Sequence, residues 1–177
     1  ENLIDEDLRN ENFEAVKGYV FDVEEVYNAV IGSDAVFSAL GGATDGSDKT
    51  RSLGIKNIIT QMQKAGVQRL LAVGGMGVLK DNEHEYILRR KDYPTVFMHV
   101  SQEHLHAYLY MKDSKLNWTF VCPPDIKNED ATRQYITAAD NPPVPNKYRI
   151  AAGDIADFLL NEAVNNKYSC KRVGISN

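Results

Sequence analysis

The chain has 177 residues, a length typical of one domain with one core, so we predict a single domain over residues 1–177. Hydrophobic residues make up 43% and charged residues 25%, which argues against long disordered segments. The net charge of -5 gives no basis for expecting a nucleic acid or an anionic membrane as partner. Two cysteines without a close pair, and the lack of an apolar run of about 20 residues or of a signal-like start, predict a cytoplasmic protein with buried thiols.

The first part of the sequence predicts strands that alternate with helices. In chain order the predicted elements are a strand at 13–20, a helix from about 23 to 31 capped by Asp22, a strand at 34–40, a helix from about 49 to 65, and a strand at 67–73. Gly32 and Gly66 are the expected helix stops. The apolar run at 34–40 predicts a strand buried on both faces.

The second part of the sequence continues the alternation. It predicts a helix at 98–113, a strand at 117–122, short strands at 134–137 and 148–150, a helix at 154–164 and a last strand at 171–175. Strands and helices of these lengths favour a parallel sheet that is covered on both faces and joined by right-handed crossovers.

Five segments resemble those of a known family. They are residues 16–20 with Asp22, then 34–41, 66–75, 116–124 and 148–156. In this order they resemble the atypical short-chain dehydrogenase/reductases, the group that includes NmrA-like sensors and flavin or biliverdin-IXβ reductases. The resemblance spans nearly the whole chain. It implies an α/β fold, a Rossmann-type doubly wound parallel sheet, with NAD or NADP as cofactor.

The family opens with a strand, a glycine-rich turn that binds pyrophosphate, and a helix, and none of these precedes Phe13. Because the first strand is central in the doubly wound order, its absence would separate the strand at 13–20 from the strand at 34–40 and leave two inner edges unpaired. We therefore expect an N-terminally incomplete domain. The residue that distinguishes NAD from NADP follows the second strand, so the choice stays open.

The resemblance implies where the cofactor lies, in the crevice beyond the carboxyl ends of the strands. It places Ser38, Ala39, Leu40 and Gly41 near the adenosine and phosphates, Val73, Gly74 and Gly75 near the nicotinamide ribose, and Cys122, Pro123 and Pro124 at the nicotinamide end. Tyr19 and Val20 would adjoin the adenine, although Tyr19 stands where the family often has an acidic residue. Glycines and prolines that merely end strands are the competing interpretation.

Three apparent motifs do not supply a site. Residues 74–77 lack the third glycine of a dinucleotide fingerprint, and residues 41–46 are followed by Ser47 instead of the Walker lysine. Tyr108 and Lys112 have the Tyr-x-x-x-Lys spacing, but counting back from Pro123 the family's catalytic pair falls at Val100 and His104, and its serine near Gly74 or Gly75. We expect Tyr108 and Lys112 to project away from the crevice.

His104 is thus the one titratable side chain at an aligned catalytic position. An imidazole that titrates near neutral pH donates a proton or a hydrogen bond, although a surface histidine is an equally good interpretation. Its neighbours His99, Glu103 and His106 do not match a zinc motif, so no metal is expected.

The loss of the catalytic serine, tyrosine and lysine favours an NAD(P)H-dependent reductase of a flavin, quinone or similar planar acceptor, a reaction that requires mainly orientation. The alternative is a non-catalytic NmrA-like sensor that binds the dinucleotide and acts through a protein partner. A truncated, inactive product is the third interpretation.

Overall fold

The computed structural model describes residues 12–81, 83 and 85–177. In chain order the elements are α1 (Val23–Val30), β1 (Ala35–Ser38), α2 (Thr50–Ala65), β2 (Arg69–Val73), α3 (Met98–Asp113), β3 (Asn117–Cys122), β4 (Asp125–Lys127), β5 (Ile136–Ala139), β6 (Arg149–Ala151), α4 (Ala152–Asn165) and β7 (Lys171–Ser176). Three short 3-10 helices lie between β2 and α3, at Met76–Val78, Ile87–Arg89 and Thr95–Phe97.

The main sheet has five strands in the order β1-β2-β3-β7-β5. The first four are parallel, and β5 pairs antiparallel with β7. A second sheet consists of β4 and β6, which are parallel to each other. The α/β Rossmann-type architecture predicted from the alternation of elements is confirmed, with an antiparallel strand added at one edge.

The alternation of side chains along the strands explains why both faces of the sheet are covered. Leu70 of β2 and Phe120 of β3 belong to the hydrophobic cluster that contains α1, α2 and α3. Leu71 and Val121, one residue further along each strand, belong to the cluster that contains α4. Successive side chains of a strand point to opposite faces, so these apolar runs fix a three-layer fold.

Local signals set the helix ends. The Asp22 carboxylate accepts hydrogen bonds from the backbone N–H groups of Glu24 and Glu25, which begins α1 as predicted. Gly66 has a φ of 78°, a left-handed conformation that glycine adopts without strain, and it ends α2. The predicted bounds of α3 and β3 agree with the structure at both ends.

Four predictions require correction. Residues 13–20 form no strand; they are mostly exposed, and no strand in the described part of the chain pairs with them. The strand β1 is not buried on both faces, because it lies at the sheet edge and 46% of Phe37 is exposed. One edge of the sheet is therefore open beside β1, instead of the two inner edges expected. Cys170 is exposed, whereas Cys122 is buried.

Among the residues that the structure describes, no helix is both long and apolar enough to span a membrane. The expectation of a cytoplasmic location stays a prediction.

Candidate functional site

The register of the parallel strands brings three predicted segments to one edge of the main sheet. Ser38 pairs with Ala72, Val73 with Val121, and Cys122 with Gly174. The residues that follow β1, β2 and β3 therefore leave the sheet at the same carboxyl edge, as the sequence predicted. In open α/β sheets this edge is where ligands bind.

A cleft of about 590 Å³ opens at this edge, beyond β2 and β3. Its size is within the range of small-molecule sites. The cleft is lined by Gly74, Gly75, Met76, Gly77, Tyr93, Phe97, Val100, Ser101, His104, Pro123, Pro124, Asp125, Ile126 and Tyr148. Of the predicted cofactor residues, two glycines after β2 and two prolines after β3 line it, together with His104.

Two backbone hydrogen bonds fix the floor of the cleft. The N–H of Gly74 donates to the carbonyl of Val121, and the N–H of Met76 donates to the carbonyl of Pro123. A Cβ atom at Gly74 would lie 2.3 Å from Cζ of the buried Phe120 ring, so the packing requires glycine there. The segment after β2 thus follows the segment after β3 closely, and both lie against the sheet.

Helix α3 forms one wall of the cleft through side chains at helical spacing. Val100, Ser101 and His104 lie on one face of α3, at the i, i+1 and i+4 positions, and Phe97 precedes them by one turn. The positions that the family comparison assigned to its catalytic tyrosine and lysine, Val100 and His104, therefore do face the cleft.

His104 packs closely against the glycine turn after β2. A Cβ atom at Gly75 would lie 3.1 Å from Cδ2 of the His104 ring, and the ring of Phe120 is 6.4 Å away, centroid to centroid. Burial, and then the positive charge of Arg51, lower the pKa of His104 to about 4. The imidazole is therefore neutral at physiological pH. It offers a hydrogen bond instead of the readily donated proton that the sequence suggested.

A pair of hydroxyl groups that the sequence analysis missed also faces the cleft. The Tyr93 and Ser101 hydroxyl oxygens lie 2.6 Å apart, and a Cβ atom at Gly77 would collide with both side chains. Ser101 could have been found from its position one helical turn before His104. Tyr93 lies in the irregular segment before α3, and no periodicity points to it.

Tyr108 and Lys112 do not line the cleft, as predicted. The Tyr108 ring is buried, contacts the Trp118 ring edge to face at 5.9 Å and stacks on Phe120 at 6.4 Å. Lys112 is exposed. Tyr108 therefore contributes to core packing and Lys112 is solvated.

The Cys122 side chain lies in the core and not in the cleft, which corrects the prediction that it lines the nicotinamide end. It is fully buried, its thiol donates to the Phe120 carbonyl, and burial raises the pKa of the thiol. As the last residue of β3, it alternates with Val121 and points to the α3 face of the sheet.

The residues predicted at the adenosine side lie apart from the cleft lining. Leu40 and Val20 pack around Gly54 of α2, where a Cβ atom would lie 2.7 Å from Leu40 and 3.2 Å from Val20. Tyr19 is 64% exposed. Ala39 is exposed, and the Ser38 hydroxyl is buried with no hydrogen-bond partner in the described part of the chain.

The loop after β1 is held by the beginning of α2. The Asp48 carboxylate accepts hydrogen bonds from the N–H groups of Ala43 and Thr50, and these bonds, chiefly with Thr50, lower the pKa of Asp48. Arg51 donates to the carbonyls of Gly42 and Ala43. The loop backbone is thereby ordered, and Gly41 has open space around the position of a Cβ atom.

Glu103 joins α2 to α3 instead of facing the cleft. Its carboxylate accepts hydrogen bonds from the Lys49 ammonium at 2.9 Å and the Ser52 hydroxyl at 2.5 Å. Burial raises the pKa of Glu103, but these two partners outweigh it and the net shift is downward. The carboxylate thus balances the Lys49 charge and aligns the helix that carries His104.

Comparison with known proteins identifies the class. Residues 4–166 match the family described as NAD(P)H-binding, so the chain belongs to this NAD(P)H-binding family. NAD or NADP is accordingly its cofactor. The match covers the sheet edge and the cleft described above.

Solved structures with the same fold carry different names. A protein from Burkholderia pseudomallei named provisionally as exported is 26% identical, with a TM-score of 0.82 over 94% of this chain and 82% of that chain. A provisionally named NADH-flavin reductase from Streptococcus pneumoniae is 27% identical, with a TM-score of 0.79 over 92% and 79%. A provisionally named epimerase from Bacteroides thetaiotaomicron is 25% identical, with a TM-score of 0.80 over 96% and 79%.

The residues of this chain fit two parts of a dinucleotide. Gly75, Pro123 and Pro124 leave the carboxyl ends of β2 and β3 open for a nicotinamide ring, and His104 lies beside them. The open backbone at Gly41 fits the adenosine and phosphate side, whereas the Ser38 hydroxyl is buried within the protein. In the printed sequence no G-x-G-x-x-G turn accompanies them.

Proposed function

We propose that the protein is an NAD(P)H-dependent reductase whose acceptor is a flavin, a quinone or a similar planar ring system. The observation that carries this proposal is the lining of the cleft, which combines aromatic and apolar side chains with no charged proton donor at the family's catalytic positions. Val100 is apolar, and His104, with its pKa lowered to about 4, is neutral.

The aromatic side chains support a planar acceptor. Phe97 and Tyr148 line the cleft and are 57% and 63% exposed, so their rings are available to a ligand. Tyr148 has a φ of 55°, a left-handed conformation that costs a side-chain-bearing residue about 1 kcal/mol or more. Its N–H donates to the Asn146 side-chain oxygen at 2.7 Å, which holds the backbone in this conformation. A flat conjugated ring gains dispersion and stacking energy between such side chains.

The polar groups of the cleft orient the acceptor ring through hydrogen bonds and do not protonate it. Tyr93 and Ser101 share one hydrogen bond, which leaves the other hydroxyl proton for a carbonyl or ring nitrogen of the acceptor. The neutral imidazole of His104 offers one more N–H. When bound, NAD(P)H supplies a hydride, which carries two electrons, and the proton that completes reduction of the acceptor comes from water. The protein contributes orientation and a dry environment.

The test is turnover by the purified protein with NADH and NADPH. Turnover is measured as the loss of reduced-nicotinamide absorbance. The panel contains a flavin, a quinone, a tetrapyrrole, an aldehyde and a ketone. We expect turnover with the planar acceptors and little with the aldehyde or ketone, because Val100 is apolar and His104 is neutral, so the family's two catalytic positions supply no acidic group to protonate a developing alkoxide. Turnover restricted to the aldehyde or ketone would contradict the proposal.

Tight dinucleotide binding without reduction of any acceptor would also overturn it. That result would favour the alternative, a non-catalytic NmrA-like sensor that acts through a protein partner. Binding is measured separately by the change in nicotinamide fluorescence, so loss of cofactor affinity and loss of turnover are distinguished.

A further inference from the structure

A second cleft of about 500 Å³ adjoins the first. It is lined by Met76, Lys80, Asp81, Ile87, Arg90, Asn141, Pro142, Pro143, Val144, Asn146 and Tyr148. Met76 and Tyr148 line both clefts, so the two clefts meet at these two side chains. The first cleft is mainly apolar and aromatic, whereas the second has two cationic side chains and two amides.

The second cleft has a positive balance among the charged side chains that line it. Among the described residues that line it, Lys80 and Arg90 are cationic, and Asp81 is the one with an acidic side chain. The carboxylate of Asp140, nearby along the chain, is directed to Lys171 at 3.4 Å and Arg172 at 3.6 Å. It therefore leaves the charge of Lys80 uncompensated, and within the described residues Lys80 forms no ion pair.

Arg90 is held in a geometry that suits an anion. Its Nε donates to the Asp81 carboxylate, whose side chain is only 7% exposed, whereas the Arg90 side chain is 47% exposed. This hydrogen bond raises the pKa of Arg90 and orients the guanidinium. Its two terminal nitrogens donate to no group in the described part of the chain. They are left as a planar pair of donors of the kind that binds phosphate or carboxylate.

We propose that the second cleft binds an anionic tail of the acceptor, a phosphate or carboxylate attached to the planar ring that occupies the first cleft. This inference rests on the proposed function and narrows its substrate class. The ring lies in the first cleft against Phe97 and Tyr148. The tail passes Met76 and reaches Lys80 and Arg90 in the second cleft. Flavin mononucleotide has this form, and riboflavin is the same ring and chain without the phosphate.

The experiment compares steady-state reduction of flavin mononucleotide and riboflavin by the wild-type protein and by Lys80→Gln and Arg90→Gln. Lys91→Gln is the matched control, because Lys91 is exposed beside Arg90 but does not line the cleft. We expect the wild type to have a KM for the phosphorylated flavin that is about three- to tenfold lower. Each cleft variant should remove most of that difference and leave riboflavin kinetics unchanged. Raising the ionic strength should also reduce the difference in KM between the two flavins.

Arg90→Lys keeps the charge but not the planar donors, and it guards against loss of folding when the Arg90–Asp81 ion pair is removed. It should retain part of the preference. Equal KM values for the two flavins in the wild type, or variants that change both KM values alike, would overturn the proposal. So would a loss of preference in Lys91→Gln as large as in Arg90→Gln.

The outcome is separable from that of the proposed function. If no planar acceptor is reduced, the reductase proposal fails, and quenching of flavin fluorescence then measures binding alone. Tighter binding of flavin mononucleotide than of riboflavin, lost in Arg90→Gln, would still support the anion subsite. Equal binding would reject it.

Discussion

The guanidinium of Arg172 lies over the ring of Tyr108, with its central carbon 4.6 Å from the ring centroid. Arg172 is only 2% exposed, and its terminal nitrogen donates to the carbonyl of Val78. A second ring, that of Tyr86, lies 5.4 Å from the same carbon. The buried cation is thus accommodated between two aromatic faces and a carbonyl, which ties the segment after β2 to β7.

This arrangement predicts that the Tyr108 hydroxyl is dispensable and its ring is not. Tyr108→Phe should keep reductase activity within about twofold, because the ring contacts persist and the hydroxyl does not line the cleft. Tyr108→Leu should lower the free energy of unfolding by about 2–4 kcal/mol through lost packing and cation–π contact. Urea unfolding and steady-state kinetics measure the two effects, with Lys112→Gln as the exposed control. A large loss of activity in Tyr108→Phe would contradict the assignment of Tyr108 to the core.

His104 predicts a specific pH dependence of stability. Its folded-state pKa of about 4 lies below the ordinary value of 6.5, so protonation favours the unfolded state. The stability that neutral His104 preserves is complete above pH 6.5 and is lost as the pH falls toward 4. His104→Gln should therefore reduce the pH dependence of the urea unfolding midpoint between pH 6.5 and 4. Carboxylates such as Glu103 affect stability at lower pH. Parallel losses in wild type and variant between pH 6.5 and 4.5 would contradict the lowered pKa.

A second substitution at this position, His104→Ala, tests the role of His104 in turnover. An N–H that only orients the acceptor should cost a few-fold when replaced, and His104→Ala should slow turnover modestly. A lost general acid typically costs about 10²–10⁴-fold. A loss in that range, with a kcat that depends on pH near neutrality, would make His104 a proton donor in spite of its burial.

Gly41 and Gly74 predict opposite outcomes for the same substitution. Gly41→Ala meets open space, so stability should be unchanged, and any loss of NAD(P)H affinity measures how closely the cofactor approaches the Gly41 backbone. We expect an affinity loss of about tenfold, roughly 1.4 kcal/mol. Gly74→Ala would meet Phe120 at 2.3 Å and should instead destabilise the fold by about 1–3 kcal/mol. Unchanged affinity in Gly41→Ala would remove Gly41 from the predicted cofactor residues.

The Tyr93–Ser101 pair predicts an effect on the acceptor and not on the cofactor. Tyr93→Phe removes one of two hydrogen-bonded hydroxyls in the cleft, and kcat/KM for a planar acceptor should fall about three- to tenfold. The affinity for NAD(P)H should stay constant. Ser101→Ala should produce a similar loss. A matched decrease in cofactor affinity would place the pair at the dinucleotide instead.

Much of the fold could be predicted because local signals and burial agree. The bounds of α3 and β3 follow from periodicity and from the prolines after Cys122, and α1 follows from the Asp22 cap. The strand predicted at 13–20 was wrong because a strand requires a partner, and apolar alternation does not show whether one exists. The antiparallel direction of β5 likewise depends on pairing with β7 and not on composition.

The site was predicted where it follows from sheet topology and missed where it follows from packing. Gly74, Gly75, Pro123 and Pro124 reach one edge because parallel strands end together. Tyr93 reaches the cleft through an irregular segment, whose path is set by tertiary contacts that have no sequence period. The lowered pKa of His104 also depends on burial, which its aligned position alone does not reveal.

The two halves of helix α3 have different surroundings. Its first half, with Val100, Ser101 and His104, lines the cleft, and its second half, with Tyr108 and Met111, packs in the core. We therefore expect substitutions at Val100 and His104 to affect the acceptor, whereas the buried Glu103 and Leu105 in the same turns, like the last two turns, tolerate little change. We expect a laboratory library confined to the cleft-lining positions Phe97, Val100, Ser101 and His104 to change the preference among acceptors.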